Sequence, residues 1–318
     1  MTPRIVVAGV ASLYLTVQVD GFPLRYAPYV RPGWAASAVA GAGVHVARAL
    51  RALGDDVRLC TVVGEDPAGS LIRRELDRDG LLGPGTVASA ASSLGLVLVD
   101  PAGRRMGMPH LAPADAAEYP FEVLAEQARD ADLLVLTNTR FVRPLVGRAA
   151  DLGVPIAVDV HLVRDLAGEY NRPWLDVASV VFCSAEMLPR PPRAWVAEVF
   201  RRCPRCTAVG VGMGSRGALV GSRDGRLVHV PAVAPRGVVN TSGAGDALFA
   251  AFLHGWVRGD GPVTALRTAV LHAGWKVGHR LPALAAPPPD GAATASRRCA
   301  ARSAPRTIAC SVYSQESR

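Results

Sequence analysis

The segment Asn240–Asp246, read as Asn-Thr-Ser-Gly-Ala-Gly-Asp, carries residue types that phosphoryl transfer to a hydroxyl needs. An extended run precedes it, and a stretch that we predict to be an amphipathic helix follows at once. Glycines leave backbone N–H groups bare, and a helix start orients them outward at its positive dipole end, where they can bind an anion. Asp246 falls in the first helical turn, where a carboxylate can take the proton of an alcohol. The alternative is an ordinary aspartate at a helix start after a glycine-rich turn.

The rest of the sequence excludes other catalytic classes. Lys276 is the only lysine, and it stands in Trp-Lys-Val, so the Gly-Lys-Ser/Thr of a Walker A site is missing. No serine lies in a Gly-x-Ser-x-Gly elbow, which leaves an α/β-hydrolase without support. Cys203 and Cys206 have the spacing of a zinc pair, but the core has no second pair for a four-ligand site.

The composition is that of a globular protein. Of 318 residues, 50% are hydrophobic and 19% are charged, and no apolar run is long enough for a transmembrane helix. The apolar run Ile5–Ala8 is too short for a signal peptide, and six cysteines are too sparse for a disulfide scaffold, so we expect a cytoplasmic protein with reduced thiols. The net charge of +8 forms no basic stripe, so we expect no nucleic-acid partner, and no membrane partner.

The chain alternates short apolar runs with helical stretches, which predicts a layered α/β domain. One helix is predicted to open at Asp66-Pro67 and end at Gly80, and another to cover Val44–Leu53 and end at Gly54. Several apolar runs are continuous, as in strands buried on both faces of a parallel sheet. The predicted strands are Arg4–Val10, Val57–Val63, Leu94–Val99, Leu133–Thr137, Ile156–Val160, Val180–Cys183 and Ala208–Val211.

Two segments depart from this pattern. Leu13–Val19 alternates with period two, as a half-exposed strand does, and Leu96–Met108 reads as a hairpin that turns at Asp100–Gly103. These segments predict either a small accessory sheet or two edge strands of the main sheet. From about Pro287 the chain becomes rich in Ala, Ser and Arg without periodicity. We therefore predict a domain over residues 1–285 and a low-complexity, disordered tail over residues 286–318.

The catalytic segment resembles the second signature of the PfkB-type, or ribokinase-like, sugar and nucleoside kinases. Other segments resemble this family in the same order: Gly41–Gly54 its N-terminal signature, Val62–Gly69 its Val-Gly-x-Asp-x-x-Gly step, Gly212–Ala218 its turn near the nucleotide, and Leu271–Gly278 its last core helix. The matches cover roughly residues 4–280.

The resemblance implies an α/β fold, a ribokinase-like three-layer sandwich with a mostly parallel central sheet and a small β-lid, here over about 12–35 and 94–110. It implies an ATP-dependent, Mg²⁺-requiring kinase for a hydroxyl of a small sugar or nucleoside, which could form a homodimer through the lid. Asp246 is the implied base, with Gly243, Ala244 and Gly245 as the anion hole. The implied ligand contacts are Thr241, Gly214, Gly217 and His272 for the nucleotide, Gly41, Gly43, His45 and Tyr14 for the substrate, and Glu186 for Mg²⁺ through water.

The chain departs from the family pattern at several positions. Tyr14 stands near the place of an aspartate that binds sugar hydroxyls, and His45 replaces an asparagine; the alternative for His45 is a role in helix packing. Gly212 stands where the family has a threonine before its turn near the nucleotide. In the segment Cys183–Glu186, Cys183 stands in place of the asparagine of the family's Asn-x-x-Glu element, whereas Glu186 is kept. Asn240 replaces an aspartate that helps to place a monovalent cation, which leaves potassium activation open. The tyrosine favours a substrate with a flat or apolar portion, such as a nucleoside.

Two other functions compete with the kinase. One is a binding or regulatory protein with weak or lost catalysis, which the replacements at Tyr14, His45 and Gly212 favour and the intact Gly243–Asp246 segment opposes. The other is a nucleotide-dependent oxidoreductase, based on Gly41-x-Gly43, which lacks a clear preceding strand and a well-placed acid. Substrate-dependent ADP formation separates the kinase from both.

Overall fold

The structure, a computed structural model, describes residues 2–281, which form thirteen strands and nine helices. The strands are β1 (Arg4–Ala8), β2 (Ser12–Gln18), β3 (Ala35–Ala40), β4 (Asp56–Gly64), β5 (Thr86–Ser89), β6 (Ser93–Val99), β7 (Arg105–His110), β8 (Leu133–Leu136), β9 (Ile156–Leu162), β10 (Val180–Ser184), β11 (Ala208–Gly212), β12 (Ala218–Ser222) and β13 (Leu227–Val230). The helices are α1 (Ala42–Ala52), α2 (Pro67–Arg78), α3 (Ala112–Asp115), α4 (Phe121–Ala128), α5 (Val146–Ala150), α6 (Arg172–Val177), α7 (Pro192–Arg202), α8 (Ala244–Val257) and α9 (Pro262–Lys276).

Nine strands form the main sheet, in the order β13-β12-β11-β10-β9-β8-β1-β4-β5. Neighbours from β11 to β5 are parallel, and β12 and β13 add an antiparallel edge. The continuous apolar strands lie at its centre, where helices cover both faces and β1 and β8 are almost fully buried. All seven predicted strands are confirmed, six of them in this sheet and the seventh as β6.

The other four strands form a separate sheet in the order β3-β2-β6-β7. β6 and β7 are the predicted hairpin, whose turn closes where the Gly103 N–H donates to the Asp100 carbonyl over 2.9 Å. The predicted strand at Leu13–Val19 is β2, which pairs in parallel with β6. The two segments therefore belong to an accessory sheet and not to the edges of the main sheet. Its strand β3 extends beyond the predicted lid limit at residue 35.

Local capping chemistry sets the ends of the two predicted helices. The Asp66 side chain accepts from the Gly69 N–H over 2.6 Å, Pro67 is the first residue of α2, and Gly80 follows that helix with a positive φ of 64°. Gly54 follows α1 with a φ of 91°. Both helices are confirmed, although α1 begins at Ala42 and not at the predicted Val44.

Helix α8 is not amphipathic, which corrects the prediction from sequence. Most of its residues are buried, because α1 and α9 pack on it and it lies on the main sheet. The ring of Phe182 on β10 packs against Phe249 and Phe252 of α8, with centroids 5.1 and 5.0 Å apart. A helix with such a burial pattern is held in place from several sides, so its N-terminus is well positioned.

The predicted tail over residues 286–318 lies outside the described residues, and so does the end of the predicted domain at 285. Within residues 2–281, no helix combines the length and apolar character that crossing a bilayer requires.

Candidate functional site

The N-terminus of α8 presents unpaired backbone donors. Gly243 is its N-cap in the left-handed conformation, with a φ of 76°, and provides no side chain to cap the helix. The Ala244 N–H donates to the Thr241 carbonyl over 3.2 Å. In the described part of the chain, the N–H groups of Gly245 and Asp246 have no acceptor. The fold thus leaves backbone donors open at the positive end of a fourteen-residue helix, and their role as an anion hole stays a prediction.

Asp246 lies in the first turn of α8, and its Oδ1 atom is buried without a hydrogen-bond partner. Burial raises the pKa of this carboxyl to about 6, and the charge of Asp159 acts in the same direction. The opposing charges on His161, Arg105 and Lys276 limit the rise in pKa. A carboxyl with this pKa is ionised at neutral pH and is more basic than an exposed aspartate, which suits a general base.

Asp159 and His161 lie beside Asp246, a grouping that the sequence reasoning missed. One ligand atom from each of these three side chains can be chosen so that all lie within 4.8 Å of one another. His161 has a φ of 52°, and its N–H donates to the Asp159 Oδ1 over 2.8 Å at a register shift between β9 and β10. The sequence held a signal for this grouping. Asp159 and His161 stand at the carboxyl end of a predicted parallel strand, where α/β sheets bind their ligands.

This cluster can hold a divalent cation. Two carboxylates and an imidazole offer oxygen and nitrogen ligands, and the Oδ1 of Asp246 lacks any other partner. The predicted Glu186 is exposed and lies just beyond β10, the strand next to β9, in a short 3₁₀ turn where its N–H donates to the Ser184 Oγ over 3.2 Å. The role of Glu186 as a ligand through water stays a prediction.

The loop before α8 is tied to the end of α9 and to the lid. Asn240 is fully buried; its Nδ2 donates to the Arg280 carbonyl over 2.7 Å, and its Oδ1 accepts from the Ser242 N–H over 2.9 Å. The Thr241 hydroxyl, which we predicted to contact the nucleotide, donates to the carbonyl of Gly103 in the lid turn over 3.0 Å. These bonds hold the loop that leads to α8 and place the lid turn against that loop.

A cavity of about 330 Å³ opens between the main sheet and the lid. Two predicted substrate residues, Tyr14 and Gly41, line this cavity. His161, which belongs to the group with Asp159 and Asp246, also lines it. Aromatic and hydrogen-bonding groups from separate segments complete its wall. The other lining residues are Val10, Ala42, Pro109, Leu111, Asp115, Asn138, Thr139, Arg140 and Tyr170.

The ring of Tyr14 occupies space that only a glycine opposite leaves free. A Cβ built on Gly95 of the neighbouring strand β6 would lie 2.2 Å from the Tyr14 Cε1. Burial, with the charge of Asp246 in the same direction, raises the pKa of the Tyr14 phenol. The phenol therefore stays protonated and can donate one hydrogen bond in the cavity.

His45, a predicted substrate residue, is not among the residues that line the cavity. It lies one turn along α1 from Gly41 and Ala42, and its Nδ1 is buried without a hydrogen-bond partner. Burial, with charges on Lys276, Arg48 and Arg105, lowers the pKa of this imidazole to about 3, so it is neutral. An unpartnered neutral imidazole can exchange a hydrogen bond with a substrate hydroxyl, and its substrate role stays a prediction.

The two glycines of the N-terminal segment have different functions in the fold. Gly41 is the N-cap of α1 with a φ of 109°, which favours glycine. Gly43 is buried, and a Cβ there would lie 2.5 Å from the backbone carbon of Gly9, just after β1. Gly43 therefore allows α1 to approach the end of β1 closely, and it is not among the residues that line the cavity.

The remaining predicted nucleotide residues lie at the turn between β11 and β12 and on α9. Gly214 and Gly217 flank the turn between β11 and β12 with φ values of 59° and 92°, and a Cβ on Gly217 would lie 2.0 Å from the Val230 carbonyl oxygen. His272 of α9 is buried, and burial together with the charge of His254 lowers the pKa of its imidazole to about 4. The nucleotide contacts of these residues stay predictions.

Cys203 and Cys206 are buried free thiols, and burial raises the pKa of both. Within residues 2–281, the one group of three or more metal-ligating side chains is Asp159, His161 and Asp246.

Comparisons with known proteins point to one enzyme family. The model of the pfkB family of carbohydrate kinases matches residues 2–150 and 194–288. The acarbose 7(IV)-phosphotransferase of Actinoplanes sp. is 31% identical over 231 residues, which are 71% of this chain and 75% of that protein. The bifunctional protein HldE of Nitrobacter winogradskyi is 28% identical over 265 residues, 78% of this chain, which spans about half (54%) of that protein. Among solved structures, the microbiome-derived acarbose kinase Mak1 superposes with a TM-score of 0.76 at 25% identity, covering 87% of this chain and 93% of that one.

Proposed function

Because the chain belongs to the pfkB family of carbohydrate kinases, we propose that it transfers the γ-phosphoryl group of ATP to a hydroxyl of a small sugar or nucleoside. It is a phosphotransferase with an alcohol acceptor, as its family and its kinase relatives are.

One observation carries the proposed chemistry. The buried, unpartnered Oδ1 of Asp246 lies at the helix start where the N–H groups of Gly245 and Asp246 are open. A carboxylate beside an anion hole can deprotonate a hydroxyl while the backbone donors stabilise the charge on the transferring group. His161 lines the cavity beneath the lid and also lies beside Asp246. This proximity supports the cavity as the acceptor site.

The transfer exchanges one phosphorus–oxygen bond for another. The acceptor oxygen forms a bond to the γ-phosphorus, the bond from that phosphorus to the β-γ bridging oxygen breaks, and ADP leaves. The acceptor hydroxyl proton passes to the Asp246 carboxylate. Gly243 leaves room for the phosphoryl oxygens, and the helix dipole at Ala244 and Gly245 favours their negative charge.

The residues present fit a divalent cation. Asp159 and His161 could hold it directly and Glu186 through water, with Asp246 beside them as the proton acceptor. Bound Mg²⁺ would supply positive charge that offsets the charge of the phosphate oxygens. Without the cation, Asp159 still affects the base, because its negative charge raises the pKa of Asp246.

The cavity favours an acceptor that has both hydroxyls and ring surface. Tyr14 and Tyr170 provide aromatic faces, and Asn138 and Thr139 provide groups that can bond to hydroxyls. Two of the similar proteins reported above act, by name, on acarbose, which supports a carbohydrate acceptor. The aromatic face of Tyr14 keeps nucleosides within the proposed class.

The test is acceptor-dependent ADP formation by the purified chain with Mg²⁺ and ATP. The panel should contain free sugars, acarbose, sugar phosphates and nucleosides, and ³¹P NMR should identify the phosphorylated product. We expect ADP release well above the rate without acceptor for at least one class. Tight ATP binding with no ADP released from any acceptor would instead favour the binding or regulatory protein, which the residues at Tyr14 and His45 allow.

The proposed homodimer through the lid is a separate prediction. The lid carries exposed apolar side chains, among them Leu15, Leu94, Met106 and Met108. A second copy could cover them. Sedimentation of the purified chain tests this: a monomer at micromolar concentration would contradict it.

A further inference from the structure

The chain's only lysine is buried beside the catalytic loop. Lys276 is the last residue of α9, and it is 5% exposed. The sequence otherwise uses arginine for all its permanently basic side chains. Burying an ammonium group costs several kcal/mol, roughly, unless it is paired or hydrogen-bonded. A lone buried lysine in such a chain therefore needs a partner nearby.

The partner is a backbone carbonyl and not a carboxylate. The Lys276 Nζ donates to the Asn240 carbonyl oxygen over 3.0 Å, and within residues 2–281 no carboxylate forms an ion pair with it. Burial lowers the pKa of Lys276 to about 7, while the charge of Asp246 acts in the opposite direction. The phosphates of a bound nucleotide would add negative charge beside the amine, which favours the ammonium form.

The contact between Lys276 and Asn240 lies at the start of the loop that leads to Asp246. Asn240 begins the loop that leads to Asp246, and the N–H groups of Val239 and Asn240 both donate to the Val277 carbonyl, over 2.7 and 3.0 Å. The end of α9 thus clamps the catalytic loop, and Lys276 places a positive charge at that clamp. Because the side chain at 240 is a neutral amide, the lysine charge is not cancelled there.

We propose that Lys276 is a built-in monovalent cation of the phosphoryl-transfer site, an inference that rests on the proposed function. Its ammonium holds the Asn240 carbonyl, as a potassium ion would bind carbonyl oxygens, and its charge offsets the negative charge that develops at the start of α8. The enzyme then needs no soluble monovalent cation. Lys276 is a positioning residue in this scheme, and its contact with Asn240 is the observation that carries it.

The experiment compares turnover at constant ionic strength in the chlorides of potassium, sodium and tetramethylammonium, with saturating Mg²⁺-ATP and acceptor. Wild type should show rates within about twofold of each other in all three salts. Lys276→Ala leaves space for a cation and should lose roughly 100-fold in tetramethylammonium, the scale of a lost transition-state donor. Potassium or ammonium should raise the turnover of Lys276→Ala at least tenfold above its value in tetramethylammonium.

Two control variants sharpen the test. Lys276→Met fills the space, so the same salts should restore it much less than Lys276→Ala. Arg267→Met removes an exposed charge from the same helix and should leave turnover and salt response unchanged. Melting temperatures show whether each variant folds.

Different outcomes refute the role of Lys276 and the proposed kinase function. Strong activation of wild type by potassium would overturn the proposal, even if neither Lys276 variant folds. A folded Lys276→Ala that keeps its full rate, or one that no cation restores, would also overturn it, because the lysine would then be dispensable or merely structural. A wild type that forms no ADP with any acceptor would refute the proposed function itself, and this role with it.

Discussion

The donor side and the acceptor side of the site are built in different ways. On the proposed donor side, seven consecutive residues, Asn240–Asp246, contain the proposed base and the open backbone N–H groups. On the proposed acceptor side, Tyr14 comes from the lid, Asn138 follows β8, and His161 lies near the end of β9. These three residues meet only because the sheet order and the lid bring their elements together.

The difference has a functional consequence. Backbone donors at a helix start bind any phosphate and depend little on side-chain identity. Side chains from separate elements can be replaced one at a time without altering the helix start. We therefore expect donor-side changes to reduce turnover for every acceptor, and acceptor-side changes to alter affinity and selectivity. The predictions below test this contrast, from the largest expected effect to the smallest.

The largest effect should come from Asp246→Asn, which keeps the size of the side chain and removes the base. Turnover should fall by roughly 10²- to 10⁴-fold, the scale of a lost general base. ATP affinity, measured by calorimetry, should survive because the donors are backbone groups. Asp77→Asn, an exposed aspartate on α2, is the matched control. Half of the wild-type rate in Asp246→Asn would show that another group is the base.

Asp159→Asn should have the next largest effect, because it removes one carboxylate of the cation cluster and keeps its shape. We expect a loss of roughly 10- to 100-fold in rate at limiting Mg²⁺, recovered in part at high Mg²⁺. Asp151→Asn, exposed and just after α5, is the control. An unchanged Mg²⁺ dependence would remove Asp159 from the cation site.

The pH profile should reflect the buried base. The proposed base must be ionised to act, and burial raises the pKa of Asp246 to about 6, so kcat/KM should fall about tenfold per pH unit below pH 6 as the group becomes protonated. The charged groups that face it are Asp159, His161, Arg105 and Lys276. The acid limb should therefore move to lower pH in Asp159→Asn, because a neighbouring negative charge is removed. A flat profile between pH 5 and 7 would contradict this assignment.

On the acceptor side, His45→Ala should raise the KM for the acceptor by roughly tenfold or less, as expected for one lost neutral hydrogen bond. The KM for ATP should change little. His45→Asn keeps a hydrogen-bonding side chain and should behave like wild type. Equal losses for ATP and acceptor would instead indicate that His45 serves helix packing.

The smallest effect should come from Tyr14→Ala. If the phenol ring stacks on a flat portion of the acceptor, the ratio of kcat/KM for nucleosides to that for free sugars should favour nucleosides and shrink a few-fold in the variant, roughly the scale of an aromatic contact. The matched control is Tyr29→Ala, a strongly exposed tyrosine. A wild type selective for a free hexose, with Tyr14→Ala unchanged, would refute this prediction and leave the kinase assignment intact.

Much of the fold was predictable where the signal is local. The apolar runs of β1, β8 and β10 and the caps at Asp66 and Gly80 depend on neighbouring residues alone, and all were predicted. Strand β3 was missed because its sequence, Ala-Ala-Ser-Ala-Val-Ala, has small residues and little strand preference; pairing with β2 holds it. The burial of α8 was missed because it depends on which helices pack around it.

The same division holds in the site. Asp246 and its glycine turn could be proposed from the sequence because the carboxylate and the open N–H groups share one helical turn, so neighbouring residues determine their geometry. The proximity of Asp159 and His161 to Asp246 depends on where β9 lies in the sheet relative to α8. The contact of Lys276 with Asn240 depends on how α9 packs against the catalytic loop. By itself, the sequence determined the chemistry that neighbouring residues can perform; the tertiary structure decided which distant charges surround it, because their separation depends on strand order and helix packing.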